Sequence, residues 1–191
     1  MIEEFQNVFV RVAVDSAFRS DFLANPERAL TGFALSELER RSLMEISCVD
    51  LERYAGSLLA KRTAEFSRAI PLAMKVCPSL ATRYTRWLET HPSPIKTDVL
   101  DPGLSEALRA LTDLANDLAK DSAEASYSAD LFKFEVLRRC SQQDGQVRFM
   151  KAQTRVDLLS DEIRTGLTPM DPDAFPVTFR FDRSTTRWKA Q

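Results

Sequence analysis

The chain has 191 residues, of which 44% are hydrophobic and 28% are charged, and its formal net charge is -2. This composition is that of an ordinary globular protein, with enough apolar residues for the core of one domain or of two small ones. The charge argues against a general attraction to nucleic acid or to anionic membranes, and no apolar run approaches the ~20 residues of a membrane span. The acidic N-terminus, MIEEFQNVFV, does not resemble a signal peptide, so we expect a soluble cytoplasmic protein.

Apolar residues at helical spacing dominate the first part of the chain. They predict a first helix over residues 2–13 and a second helix that is capped by Asp15 or Ser16. Asn25 followed by Pro26 predicts the start of a third, short helix, because proline is favoured at the first helical position.

The next two helices have clear start and stop signals. Ser36 and Glu39 have the spacing of a capping box, which predicts a helix start. A long helix is predicted over residues 50–70, and Pro71 is expected to kink or end it because proline has no backbone N–H to donate. The residues expected to face the core on these two helices are Leu38, Leu43, Ile46, Leu51, Tyr54, Leu58, Leu59, Phe66 and Ile70.

Proline residues divide the middle of the chain. A helical pattern is interrupted near Pro78, and the sequence His-Pro-Ser-Pro at residues 91–94 is the clearest linker because its prolines disfavour helix. Beyond it, the apolar periodicity predicts one continuous helix over residues 104–120 and another over residues 125–140.

The last twenty residues change from helical to strand-like spacing. Residues 175–182 alternate between apolar and polar side chains, and residues 185–189 are expected to form a partner strand. The predicted fold class is therefore mainly α, a helical bundle with a short C-terminal strand or hairpin. We expect a small helical module over residues 1–47 and a larger body over residues 48–191, with a linker near residues 91–103.

Residue types that carry catalysis are sparse. His91 is the single histidine and lies in the proline-flanked linker, where we expect an exposed, non-catalytic side chain. Cys48, Cys77 and Cys140 are far apart in sequence and are interpreted as small buried apolar residues. No glycine-rich phosphate loop is present. We therefore predict no catalytic residue, no metal ligand and no cofactor in this chain.

The positive charges are segregated. Arg83, Arg86 and Trp87 lie within about one helical turn and have the composition of an interface anchor, although a solvated helix face is the other interpretation. A second basic cluster lies near a predicted strand, where it is expected to hold an extended peptide by strand addition. Its residues are Arg180, Arg183, Arg187 and Lys189.

Two passages resemble known families. The first is FRSDFLANPERAL at residues 18–30 with GFALS at residues 32–36. It resembles a small helical module found in the small subunit of extradiol ring-cleaving dioxygenases and in several peptide natural-product systems. The second passage consists of four segments in order: YAGSLLAKR (54–62), IPL (70–72), YTRWL (84–88) and ADLFKFE (129–135).

This order resembles the partner subunits of multinuclear non-haem iron-dependent oxidative enzymes in ribosomal peptide natural-product biosynthesis, and most of all the partner subunit of 3-thiaglutamate biosynthesis. The resemblance implies a heterodimer in which the iron belongs to the larger oxidase. The smaller subunit would bind that oxidase and help to present a ribosomally made precursor peptide for oxidative modification of a cysteine. No set of functional residues is carried over from the family.

Two alternatives remain open. The first passage alone implies the small subunit of an extradiol dioxygenase, which would complete an aromatic-binding pocket. The third hypothesis is a free-standing regulatory or DNA-binding helical protein, although no DNA-binding motif accompanies the charge. Under the leading hypothesis, Arg83, Arg86, Trp87, Arg180 and Arg183 are the residues expected to bind the peptide or the partner.

Overall fold

The computed structural model describes residues 2–92, 99–167 and 174–190. These residues form eleven helices and a small antiparallel sheet near the C-terminus, so the predicted mainly α fold class is confirmed. Of the predicted linker over 91–103, residues 93–98 lie outside the described part of the chain. Within the described ranges, none of the helices combines the length and the apolarity needed to cross a bilayer.

The chain divides into two compact units, each assembled from two segments. The first unit comprises Met1–Arg62 and Thr85–Pro94, and the second comprises Thr63–Tyr84 and Ile95–Gln191. The boundary expected near residue 47 therefore falls inside the first unit. A distant segment of the chain completes each unit, and local helical patterns do not contain that information.

The first unit begins with four short helices. They are α1 (Ile2–Val14), α2 (Ser16–Ala24), α3 (Pro26–Ala29) and α4 (Glu37–Met44), followed by the N-terminal part of α5 (Cys48–Ala69). The predicted caps are confirmed: the Asp15 side chain accepts from the backbone of the second helix, and Ser36 and Glu39 form a reciprocal capping box. Capping satisfies backbone donors that the first turn of a helix leaves without partners.

The core of the first unit is aliphatic and aromatic, and its buried residues are Val8, Val12, Phe22, Leu30, Leu43 and Leu51. Three of the expected core residues are instead exposed: Leu38 by 74%, Tyr54 by 49% and Leu59 by 38%. Leu38 is five residues from Leu43 and therefore about 140° away around the helix. Tyr54 and Leu59 lie on either side of the buried stripe.

The second unit contains the remaining helices and all three strands. Its further elements are α6 (Pro71–Val76), α7 (Leu80–Thr90, which begins in this unit), α8 (Pro102–Arg109), α9 (Leu111–Lys120), α10 (Ser128–Asp144), β1 (Arg148–Ala152), α11 (Val156–Arg164), β2 (Val177–Phe181) and β3 (Thr186–Ala190). The single helix predicted over residues 104–120 is wrong. The helix breaks at Ala110, a fully buried residue whose N–H bonds to the carbonyls of Glu106 and Leu108.

Aromatic rings form much of the interior of the second unit. Phe134 on α10 contacts Phe179 and Phe181 on β2 edge-to-face, with ring centroids 5.1 and 5.4 Å apart. Phe66 stacks on Tyr84 with centroids 4.0 Å apart. Large apolar rings of this kind contribute much of the hydrophobic stabilisation of a small core. The sheet is thus fixed to α10 through one of its faces.

Candidate functional site

The C-terminal sheet has a buried face and an exposed face. The three strands are ordered β1-β2-β3 and all pairs are antiparallel. Because side chains alternate along a strand and directly opposed residues share a face, the register decides which residues lie together. Val177, Phe179 and Phe181 are fully buried on one face, and the intervening residues of β2 belong to the other.

The exposed face is strongly basic. The register places Phe149 opposite Arg180 and Arg180 opposite Arg187, and it places Lys151 opposite Thr178 and Thr178 opposite Lys189. We call this set the basic sheet face: Phe149, Lys151, Thr178, Arg180, Arg187 and Lys189. Four of its six residues are cationic and none is acidic.

The geometry of the basic sheet face favours an anionic ligand. Side chains directly opposed in an antiparallel pair have Cβ atoms ~4.5–5.5 Å apart, and like charges at that separation destabilise the sheet. Arg180 and Arg187 are such a pair. Phe149 adds an exposed aromatic ring, 65% accessible, in the same row. Arg180 also pairs with Asp182 at 3.0 Å, which offsets part of the repulsion. A negatively charged ligand would offset the rest, and the ring provides apolar contact.

The turn between β2 and β3 is organised by Asp182. Its Oδ1 atom accepts from the backbone N–H groups of Ser184 and Thr185 at 3.1 and 2.8 Å. The Thr185 hydroxyl donates to the same carboxylate, and the Arg180 guanidinium reaches Oδ2 at 3.0 Å. Arg183 lies exposed in this turn. The hydrogen bond from the Thr185 hydroxyl is the main reason that the pKa of Asp182 falls to about 2.

Replacing Asp182 by asparagine is expected to make the stability of the β2–β3 hairpin less dependent on pH in the acid range. The pKa of Asp182 is lowered from 3.8 to about 2, so its contribution is complete above pH 3.8 and is lost as the pH falls through about 2. Amide hydrogen exchange of the β2 and β3 backbone between pH 4 and pH 2 measures this loss. A variant whose strand protection falls with acid as steeply as that of the wild type would contradict the assignment.

Arg83, expected to bind a partner, is paired within its own unit. Its guanidinium donates to Asp117 at 2.5 Å and to Asp121, and Glu124 lies 3.7 Å away. The hydrogen bond to Asp117 is the main reason that the pKa of Arg83 is raised. Arg83 therefore connects α7 to α9, where it is only 15% accessible.

Arg86 and Trp87, the other expected residues on α7, belong to the first unit. Arg86 is exposed, whereas Trp87 is 8% accessible and stacks on His91 with ring centroids 4.3 Å apart. His91 is exposed, and its Nδ1 lies 2.9 Å from the Thr90 hydroxyl. One face of the Trp87 ring is therefore occupied by His91, and little of its surface is accessible.

The thiols have unequal surroundings. Cys48 is exposed, so the expectation that all three cysteines are buried is wrong for this residue, which begins α5. Cys77 and Cys140 are buried, and burial raises the pKa of each thiol to about 11. In the described ranges, no group of three or more histidine, cysteine, aspartate or glutamate residues is arranged to hold a metal ion.

Sequence reasoning found only part of the basic sheet face. It identified Arg180, Arg187 and Lys189 by their charge, but it did not identify Lys151 or Phe149. β1 was not predicted, because its inward residues, Met150 and Ala152, give a weak alternating signal. The only indication in the sequence is the short apolar-polar-apolar run Met150-Lys151-Ala152.

Comparisons with known proteins found no match. No protein-family model, no curated protein and no solved structure matches the chain.

Proposed function

We propose that this chain is a non-catalytic recognition subunit that binds an acidic, extended polypeptide on its basic sheet face. The observation that supports the proposal is the cross-strand register, which groups four cations and an exposed phenylalanine without an acidic residue. Opposite charge across an interface increases the rate of association and fixes the orientation of the ligand.

Strand addition is the mode of binding that fits this arrangement. β3 is an edge strand, and its two residues on the basic sheet face, Arg187 and Lys189, are both exposed. A peptide that pairs with an edge strand gains main-chain hydrogen bonds and presents every second side chain to one face of the sheet. Acidic residues at alternate positions of the peptide would then lie opposite Arg187 and Lys189.

The resemblance to partner subunits of multinuclear iron oxidases supplies the biological context of this proposal. In that context the bound polypeptide is a ribosomal precursor peptide, and the oxidase holds the iron and modifies the peptide's cysteine. This chain would bring peptide and oxidase together as one half of a heterodimer. Arg86, which is exposed on α7, remains a candidate for the contact with the oxidase.

A second candidate function is the binding of single-stranded nucleic acid. Phe149 among four cations on an exposed sheet face is a composition that also stacks a base and neutralises phosphates. The formal charge of -2 for the whole chain gives this candidate less support than the peptide.

The double substitution Arg187→Glu with Lys189→Glu is expected to weaken the binding of an acidic strand peptide by at least about tenfold, or about 1.4 kcal/mol. A fluorescein-labelled peptide of alternating glutamate and valine is the probe, and fluorescence anisotropy at low salt is the measurement. The peptide of alternating lysine and valine is expected not to bind.

The matched control is Arg41→Glu with Arg53→Glu, which makes the same change of charge at exposed helix positions of the first unit. Equal losses in the two double variants would attribute binding to net charge and would contradict the proposed surface. Tighter binding of oligothymidylate than of the acidic peptide would favour the second candidate.

The role beside an oxidase is tested with the same variants. A multinuclear iron oxidase and a precursor peptide encoded near this chain would be assayed for cysteine oxidation without the chain, with the wild type and with the sheet variant. We expect full oxidation only with the wild type. Complete oxidation by the oxidase alone, with unchanged affinity for the peptide, would exclude the role.

A further inference from the structure

A second cationic feature of the second unit is a pocket beside α10. Its cavity of about 330 Å³ lies at the small end of the roughly 300–1,000 Å³ typical of ligand pockets. Arg138, Arg139 and Arg164 line it together with Glu135, while Phe134 and Leu72 supply apolar walls. We call it the Arg138 pocket. Three arginines against one glutamate leave it with an excess of positive charge.

The acidic residue of the Arg138 pocket is engaged elsewhere. The two carboxylate oxygens of Glu135 accept from the backbone N–H groups of Leu72 and Ala73 at 3.1 and 2.8 Å. These donors belong to the first turn of α6, so Glu135 caps that helix from a buried position. Burial raises the pKa of Glu135, although the two N–H donors act in the opposite direction. Its carboxylate does not pair with Arg138.

The other two arginines of the pocket also have partners. Arg139 donates to the backbone carbonyls of Arg68 and Ala69 at the end of α5. Arg164 forms an ion pair with Asp161 at 2.9 Å. Asp157, which lines an adjoining cavity, pairs with Arg155 through both of its oxygens.

Arg138 alone among these charged groups has no polar partner within the described part of the chain. Its Nε atom is buried without a hydrogen bond, and its guanidinium lies over the Phe134 ring at 5.9 Å from the centroid. Burial is the main reason that the pKa of Arg138 is lowered, and the charge of Arg164 adds to the effect, whereas the carboxylates of Asp161 and Glu135 act in the opposite direction. The buried Nε–H of this partly buried guanidinium has no acceptor, and a bound anion would supply one.

We propose that the Arg138 pocket binds a carboxylate group that is attached to an apolar moiety. The planar guanidinium donates two parallel hydrogen bonds to a carboxylate, which matches its fork geometry. Phe134 and Leu72 would contact the apolar part. This site is separate from the basic sheet face, and its occupation does not require a peptide on the sheet.

The full-length chain would be titrated with N-acetyl-L-phenylalanine and, as a neutral match, with N-acetyl-L-phenylalaninamide, by NMR at low ionic strength. The acid is expected to bind at least about tenfold more tightly than the amide. The Arg138→Met variant is expected to lose this preference. Methionine keeps the apolar contact with Phe134 and removes a desolvated charge, so the variant is expected to fold.

The control is Arg53→Met, which removes an exposed arginine of α5 in the first unit and is expected to keep the preference for the acid. Arg164→Gln is a second test at an exposed position and is expected to reduce the preference. Equal affinity for acid and amide, or an unchanged preference in Arg138→Met, would overturn the proposal. Tighter binding of inorganic phosphate than of the acid would overturn the assignment to a carboxylate.

Two further probes distinguish the sources of the carboxylate. A peptide with a C-terminal phenylalanine would be compared with its C-terminally amidated form and with N-acetyl-L-phenylalanine. If the free-acid peptide binds more tightly than the small acid, the ligand is a peptide terminus. If the two acids bind equally, the ligand is a small carboxylic acid.

Discussion

Replacing Phe134 by alanine is expected to lower the free energy of unfolding of the second unit by about 3–5 kcal/mol. The side chain is 2% accessible and contacts both Phe179 and Phe181. The substitution removes buried apolar surface and leaves a cavity between α10 and the sheet, and both effects destabilise the folded state. Urea-induced unfolding, together with hydrogen exchange of the β2 amides, measures the change.

Phe149→Ala is the matched control because it also removes a phenylalanine side chain. Phe149 lies on the exposed face of the sheet, whereas Phe134 of α10 packs against the buried face. Phe149 is 65% accessible, so the free energy of unfolding is expected to change by no more than about 0.5 kcal/mol. The affinity for the acidic peptide is nevertheless expected to fall, because the exposed ring belongs to the basic sheet face. Equal destabilisation by the two substitutions would contradict the assignment of a buried and an exposed face.

These two phenylalanines also show where sequence reasoning succeeds and where it fails. The alternation over residues 175–182 correctly predicted a strand and a hairpin, because each strand carries its own period-two signal and the turn residues lie between them. The pairing of β1 with β2 depends instead on contacts between residues about 30 positions apart. No local pattern contains that information.

The helices show the same contrast. Asp15, Asn25 and Ser36 were correctly identified as caps, because a cap depends on atoms within three residues. The break at Ala110 was missed because the sequence has neither glycine nor proline there. Ala110 is fully buried, and tertiary packing overrides a helical propensity that is continuous in the sequence.

The candidate binding residues divide in a similar way. A cluster of positive charges can be read from the sequence, whereas the partners of each charge cannot. Arg83 meets Asp117 and Asp121, which lie 34 and 38 residues further along the chain. Arg138 forms no such ion pair within the described part of the chain, although nothing in the neighbouring sequence distinguishes it from Arg83. The difference arises from where helices pack, so only the fold separates a structural arginine from one available to a ligand.

The contact between α8 and α5 depends on the absence of a side chain at Gly103, and Gly103→Ala is expected to destabilise the second unit by about 3 kcal/mol. Gly103 is buried in the first turn of α8. A Cβ atom there would lie 2.6 Å from the carbonyl carbon of Glu65, still closer to the carbonyl oxygen, and 3.1 Å from the Cβ atom of Ala69. Because the obstructing atoms are backbone, a change of rotamer cannot relieve the clash, and the two helices must move apart.

The same substitution at Gly56 is expected to have the opposite sign. Gly56 lies inside α5 and is exposed, and a Cβ atom there would meet nothing within 4 Å. Alanine reduces the conformational entropy of the unfolded chain, so Gly56→Ala is expected to stabilise the protein by about 0.5–1 kcal/mol. Thermal and urea unfolding of both variants measure the two signs. Stabilisation by Gly103→Ala would contradict this contact. It would mean that α8 does not approach the α5 backbone this closely, because the gain in helix propensity then exceeds the cost of the added methyl group.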